Sequence, residues 1–397
     1  MREKMERNVR VYKRFRFSQN MLIIGPVLVP YMIFKGLSYS EIMLLQSISA
    51  VSVVLFEVPT GSIADRVSRK FSLVISSLIM GIGLSMYIFM KGFAAFAIAE
   101  VLFGLGLTFS SGADSAILYE SLSRIGRKGE YSNIEAVSMS QIFAGQAAGS
   151  VASGFLYSLS PYIPFWISVA MLFLSGIFSL MFVEPPERMK PKQSYLVHVA
   201  RVFGTAFQKP RVRWAMYFAA LMGVMLRATF WLYEPYFKLI NLDIAFYGVV
   251  FAIFNLVSAF SSRYMVKTMG SVRPRKVLMT MGFMISGAYL LPLLFRGFFS
   301  IVLLLPGQLV RGMYTPVMRF YVNNQVEDSF RATKLSIVSL SANLSFSIFS
   351  PLIGACLDGI GTVPVYFAMG VIAAVVNLSL LQLRRVHKRK GAVIGGA

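Results

Sequence analysis

Four ionisable side chains stand inside long apolar stretches: Glu100, Arg227, Glu234 and Arg311. A charge near the centre of a bilayer costs roughly 3 kcal/mol or more on insertion scales, so each is a candidate for function. A carboxyl group in that setting can carry a proton, because burial and a nearby cation shift it in opposite senses, and a guanidinium can hold an anion through paired hydrogen bonds. With a helical rise of about 1.5 Å per residue, Glu100 lies roughly 10 Å and Arg227 roughly 14 Å below the outer membrane surface, within pairing reach of one another. Glu234 follows Arg227 by seven residues, almost on the same face, and is the competing partner and a gate candidate. The alternative for the whole set is structural ion pairs that hold one conformation shut. Arg319, eight residues past Arg311, is near enough to the membrane surface to snorkel.

A second constellation is the run from Phe56 to Lys70, in which Glu57 and Asp65 are followed by Arg66, Arg69 and Lys70 between two apolar segments. A connection this short and this charged belongs at a membrane surface. Around the intramembrane charges, Tyr31, Gln141, Trp231 and Tyr314 are candidates to line a solute cavity. A buried amide is nevertheless more often an interhelical hydrogen bond, and an aromatic near a helix end an interfacial anchor.

The elements that position these residues follow from hydropathy. The chain has 397 residues, 56% of them hydrophobic and 14% charged, a composition suited to lipid and not to a soluble domain. Twelve spans are expected, at roughly 17–35, 41–60, 71–90, 93–115, 135–158 and 162–183, then 213–236, 244–262, 277–295, 298–321, 335–357 and 361–383. The fold class is therefore all-α integral membrane, twelve transmembrane helices in two pseudo-symmetric six-helix bundles around a central cavity. The N-terminal bundle occupies 1–183, a polar linker 184–212, the C-terminal bundle 213–383 and a basic tail 384–397. Gly25, Pro26 and Pro30 in the first span and Pro316 in the tenth permit bends.

The formal net charge of +22 does not read as a nucleic-acid surface, because the bases fall between apolar spans. About 32 of the 39 Lys and Arg lie in the N-terminus, alternate loops and the C-terminus, which places both termini in the cytoplasm by the positive-inside rule. The chain is expected in the cytoplasmic membrane, in contact with anionic lipid head groups. One cysteine, Cys356, allows no intrachain disulfide, and two histidines, His198 and His387, make a His-based metal site improbable. No phosphate loop, His-Glu-x-x-His or Ser/His/Asp set points to an enzyme.

With twelve spans, a two-bundle division and this loop after the second span, the chain resembles the major facilitator superfamily of secondary transporters, over essentially its whole length. The pattern Gly-x-x-x-Asp-Arg-x-Gly-Arg-Arg/Lys of that family is matched by Gly61, Asp65, Arg66, Arg69 and Lys70, with Ser68 in place of the second glycine. The resemblance implies that this loop latches the two halves on the cytoplasmic side, with Asp65 set against a helix N-terminus and Glu57 nearby. It further implies that the first, fourth, seventh and tenth helices line the cavity, and all four intramembrane charges fall on that set. A degenerate copy of the loop keeps Arg275 and Lys276 but has Ser271 where the aspartate would be. Two features depart from the drug-exporting branch. Glu100 stands where an arginine would precede Gly104 and Gly106, and the fifth helix, with Gly145, Gly149, Ser153 and Gly154, has no proline.

The function expected is secondary active transport of a small organic solute by alternating access, driven by a proton or ion gradient, with no cofactor and with a monomer sufficient. Proton-coupled export of amphiphilic or drug-like compounds is the first expectation, with Glu100 as the proton site. Uptake or exchange of an anionic metabolite held by Arg227 and Arg311 is the second, and a non-transporting receptor the third.

Overall fold

The computed structural model describes the backbone of residues 2–184, 210–268, 271, 273–295, 297–323 and 331–394, and, within these, the side chains except those of 58, 65, 66, 132, 136, 210, 211, 323, 331–337 and 382–394. All regular structure among the described residues is helical. The α-helices are α1 (Arg2–Asn20), α2 (Leu28–Phe34), α3 (Tyr39–Arg66), α4 (Arg69–Phe89), α5 (Phe93–Ser110), α6 (Ala113–Arg124), α7 (Tyr131–Leu159), α8 (Ile163–Leu180), α9 (Pro210–Leu239), α10 (Tyr247–Thr268), α11 (Pro274–Leu294), α12 (Leu305–Asn323), α13 (Arg331–Ile360) and α14 (Thr362–Ile394). Eleven helical segments among them are long and apolar enough to cross a membrane. The expected fifth span is the long helix α7, whose many glycines and serines, with Gln141 and Gln146, make it less apolar than the rest.

Contacts divide the chain into two units, Met1–Leu196 with Asp243–Ile253, and Val197–Leu242 with Phe254–Ala397. Lipid supplies no hydrophobic drive between helices, so the units are held by small residues and short polar contacts. In the first unit, α4 packs against α5 and α8. Ser77 and Ser175 meet hydroxyl to hydroxyl at 2.9 Å, and Ser76 donates to the Gly106 carbonyl at 2.6 Å. Only glycine fits at 106 on α5, because a Cβ there would strike Met80 and the Ser76 carbonyl. Towards the helix ends that carry the basic residues, an apolar core of Tyr12, Phe15, Leu73, Ile117, Leu118, Leu122 and Phe182 joins α1, α4, α6 and the chain beyond α8.

The first span is discontinuous. The helix opens at residues 21–24, a 3-10 turn covers Gly25–Val27, and α2 resumes at Leu28. Pro26 lacks an N–H and its ring excludes the carbonyl four residues earlier, so the interruption falls N-terminal to the proline instead of bending smoothly at it. Backbone groups freed inside a bilayer need partners. Gln146 of α7 donates to the Asn20 carbonyl at 2.9 Å, and the Ile23 N–H donates to the Ser168 hydroxyl of α8 at 3.1 Å. Gly145 and Gly149 give the broken segment its room, since a Cβ on either would strike Phe17 or Ile23. The fourth span is interrupted too, between α5 and α6, where Gly112 takes a φ of 81° that favours glycine. Pro316 by contrast lies within an unbroken α12.

In the second unit, α9 packs on α13 and α14, and α11 on α12 and α14. Gly223 of α9 lies against the backbone of Ala342, and Gly312 of α12 against the Ser258 carbonyl and Ser261 hydroxyl of α10. Buried tyrosines satisfy their hydroxyls across helices: Tyr366 donates to the Leu232 carbonyl at 2.9 Å and Tyr236 to Ser300 at 2.5 Å.

Candidate functional site

The acid of the first unit is Glu100, in the third turn of α5 and only 8% exposed. Tyr87 of α4 donates its hydroxyl to the carboxyl oxygen at 2.5 Å, and Gln46 of α3 donates an amide N–H at 3.5 Å. The Tyr87 ring is fixed by stacking on Phe96, with centroids 4.6 Å apart and planes within 12°. Its backbone carbonyl accepts from Tyr31 at 2.8 Å. None of these partners is a cation, and no ion pair to Glu100 occurs among the described residues. A carboxyl group surrounded by neutral donors and apolar rings is chemically suited to take up and release a proton.

The bases of the second unit are arranged differently. Arg311 lies midway along the Phe298–Val322 span, yet its side chain is exposed. It donates to the Gln308 side-chain oxygen and to the Asn255 side-chain oxygen, each at 3.2 Å. Gln308 in turn donates to the Tyr233 hydroxyl and accepts from Ser258 at 3.2 Å. Two amides on two helices thus hold the guanidinium in one orientation without neutralising it. Arg227, also exposed, sits over the Phe346 ring at 5.5 Å, a cation–π contact that again leaves the charge uncancelled. Among the described residues, no carboxylate pairs with either arginine.

Glu234 does not pair with Arg227. It is buried and bonded at 2.8 Å to Lys238, one turn further on. Seven residues span about 10 Å along the axis, whereas four bring side chains into contact. Glu100 and Arg227 fall in different units, each with the contacts just given. Trp231 is half-buried, edge-on to Phe230 at 5.1 Å, and Tyr314 is half-buried with its ring 6.5 Å from Phe218. Arg319 is exposed. Tyr31 is not a cavity residue: it is fully buried, its ring 3.8 Å from that of Phe165, because its hydroxyl finds a carbonyl inside the unit. Gln141 is exposed on α7 and, with Lys13, Arg14, Phe17, Ala144 and Gly145, lines a cavity of about 400 Å³.

Of the loop residues, the side chains of Asp65 and Arg66 lie outside the described residues. Glu57 is exposed and Gly61 half-buried on α3, which runs on through the motif to Arg66. Arg69 is buried in an ion pair with Glu120 of α6. The N-terminus of α4 is occupied by Glu184, a residue whose role sequence reasoning missed. Its carboxylate accepts the backbone N–H groups of Arg69 and Lys70, each at 3.0 Å, and the Ser68 hydroxyl at 2.8 Å. Ser68 also caps the helix by accepting from the Phe71 N–H at 3.0 Å. That double use gives the serine a purpose where the family pattern has glycine. Orphan N–H groups and the helix dipole both favour an anion there. Glu184→Gln is expected to lower stability by about 1–2 kcal/mol, read as an earlier thermal transition in detergent. An unchanged transition would remove Glu184 from this role. Nearby, Arg16 pairs with Asp114 at 2.7 Å, and Asn8 exchanges hydrogen bonds with the Val183 backbone and donates to the Ser121 hydroxyl.

The sequence profile described as Major Facilitator Superfamily matches residues 17–307 and 236–395. An uncharacterized MFS-type transporter of Methanocaldococcus jannaschii, MJ1560, is 24% identical over 265 residues, 66% of this chain and 68% of that protein. A second, YxaM of Bacillus subtilis (strain 168), is 26% identical over 167 residues, 42% of this chain and 41% of its own length. The aligned segment thus spans about two fifths of YxaM. In shape, a mutant of the nucleoside transporter NupG superposes with a TM-score of 0.78 at 15% identity, covering 95% of this chain and 99% of that one. The D-xylose-proton symporter gives 0.70 at 13% identity, covering 94% and 96%. A profile that covers nearly the whole sequence, over helices of this arrangement, means that the chain belongs to the Major Facilitator Superfamily and is a multi-pass membrane protein.

Proposed function

We propose that the protein is a proton-coupled secondary transporter of a small organic anion, with Arg311 and Arg227 receiving the anionic group and Glu100 carrying the proton. The observation that carries this reading is the exposed Arg311 guanidinium, halfway along a membrane span and held by two neutral amide oxygens at 3.2 Å. A base kept there without a carboxylate costs free energy that an anionic ligand offsets. Export of amphiphilic compounds has less support. Many of the large aromatics that could bind an apolar body, among them Tyr31, Tyr236, Tyr366, Phe237 and Phe254, are fully buried in packing.

In this proposal the protein lies in the cytoplasmic membrane with both termini and the Arg69 end on the cytoplasmic side, acts as a monomer by alternating access, and uses an ion gradient in place of a cofactor. The motif residues Gly61, Asp65, Arg66, Arg69 and Lys70, with Glu57, belong to its cytoplasmic latch. The test is exchange and gradient-driven uptake of labelled monocarboxylates and phosphate esters in proteoliposomes. Glu100→Gln is expected to retain exchange while losing at least about 90% of pH-driven accumulation, because the glutamine keeps the Tyr87 contact but cannot carry a proton. Equal accumulation in the variant would remove Glu100 from coupling. Binding without any exchange would indicate a receptor, and pH-driven extrusion of lipophilic cations with no anion flux would restore the export reading.

A further inference from the structure

We propose that the cavity between α1 and α7 at the basic end of the first unit is an anion-binding entry subsite, taking the phosphate or carboxylate group of an amphiphilic ligand. Its role as an entry subsite rests on the proposed transport of an anion; the binding itself does not. The cavity measures about 400 Å³, room for a small molecule, and is lined by Lys13, Arg14, Phe17, Gln141, Ala144 and Gly145. Two cations stand at one end and an aromatic ring beside two small residues at the other. No hydrogen bond or ion pair engages the Lys13 ammonium or the Arg14 guanidinium among the described residues.

Three acids near this end of the unit are engaged elsewhere, and Glu135 of α7 is one of them, hydrogen-bonded with the Tyr131 hydroxyl. Asp114 is bonded to Arg16 at 2.7 Å and to the Ser115 N–H at 2.6 Å. Glu130 pairs with Arg127 at 2.6 Å, which holds its carboxyl below the usual carboxylate range. The walls are held in place: the Gly145 position is set by contact with Phe17 and Met21, and α7 is tied to the first span by Gln146 at the Asn20 carbonyl. The arrangement offers two adjacent cationic donors beside the apolar surface of Phe17, Ala144 and Gly145, with Gln141 at its edge as the reporter position. That matches an anion bearing a short apolar body, whether a free solute or a lipid phosphate.

The experiment places a single thiol by Gln141→Cys in a Cys356→Ser background and follows its reaction with a water-soluble maleimide in phosphatidylcholine nanodiscs. Hexyl phosphate is expected to slow labelling, inorganic phosphate to do so more weakly, and Lys13→Gln with Arg14→Gln to raise the half-protecting concentration about 10-fold or more. Ala144→Glu, which sets an acid on the floor, is expected to remove protection, and Lys13→Arg with Arg14→Lys to restore it. A single symmetric elution peak and an unchanged thermal transition report that each variant is folded. If phosphatidylglycerol in the disc competes with hexyl phosphate in the unsubstituted cavity alone, the same site takes a lipid head group. Protection absent from the parent, or equal in the Gln/Gln variant, overturns the proposal. Arg311→Gln separates the two readings: lost transport with intact protection at position 141 retains the subsite and the transport reading together. Intact anion transport with protection lost only in the Gln/Gln variant retains the subsite alone.

Discussion

On the proposed function, an Arg311→Gln protein is expected to transport an organic anion about 100-fold more slowly at low substrate concentration, the equivalent of about 2.7 kcal/mol. The guanidinium is positioned from two sides, by Gln308 on its own helix and Asn255 on α10, so an arriving anion meets a donor already oriented. Glutamine keeps one hydrogen-bonding group on a shorter side chain, and the Tyr233–Phe254 ring contact does not involve position 311. What it removes is the charge and the fork of parallel N–H donors. Lysine restores the charge alone, and because an ammonium cannot bridge two amides and an anion with fixed geometry, it should recover only part of the rate. The measurement is initial-rate uptake in proteoliposomes at matched protein content. A variant within threefold of the parent would remove Arg311 from the binding site.

Breaking the Arg69–Glu120 pair is expected to have the largest effect on stability. Both side chains are about nine-tenths buried, at 8% and 10% exposure, at the end of the first unit where α4 meets α6. Removing one partner of such a pair strands a charge and costs about 3–5 kcal/mol, whereas removing both in favour of apolar groups is often neutral. Arg69→Met alone should therefore shift equilibrium unfolding in mixed micelles strongly, and Arg69→Met with Glu120→Leu should recover most of the loss. Two additive single losses would show that the residues contribute through separate contacts. The double variant, if stable, also tests the latch, since transport lost in a folded protein would assign the pair to the conformational cycle.

The spans were legible because lipid demands long apolar helices, and Glu100 and Arg311 because a charge stands out in such a run. Partners were harder to read. Glu184 lies more than a hundred residues from Ser68, Arg69 and Lys70, and a glutamate opening a proline-rich linker carries no local sign that it caps a distant helix. Tyr87 drew no notice in the sequence, because only its stacking on Phe96 aims its hydroxyl at Glu100. Tyr31 was misjudged for the converse reason: an amphipathic ring serves a cavity or a core equally well, and only the neighbouring Phe165 decides. Glu234 was assigned by face alone, and the closer Lys238 prevailed. Gly61 and Ser68 show the limit of motif matching, since a shared pattern locates the loop but not the hydrogen bonds a replaced residue makes.

The interruption at residues 21–24 divides the first span into two levers with separate attachments. The longer, α1, is fastened at Asp114, Ser121, Val183 and Ser76 through Arg16, Asn8 and Gln19. The shorter, α2, is fastened by Tyr31 and Lys35 to the last turn of α4. The Gln146 and Ser168 hydrogen bonds tie the joint itself to α7 and α8. The four residues of open backbone at 21–24 therefore separate the attachments of α1 from those of α2, which holds the aromatic shelf of Tyr31, Phe165 and Tyr87 beside Glu100.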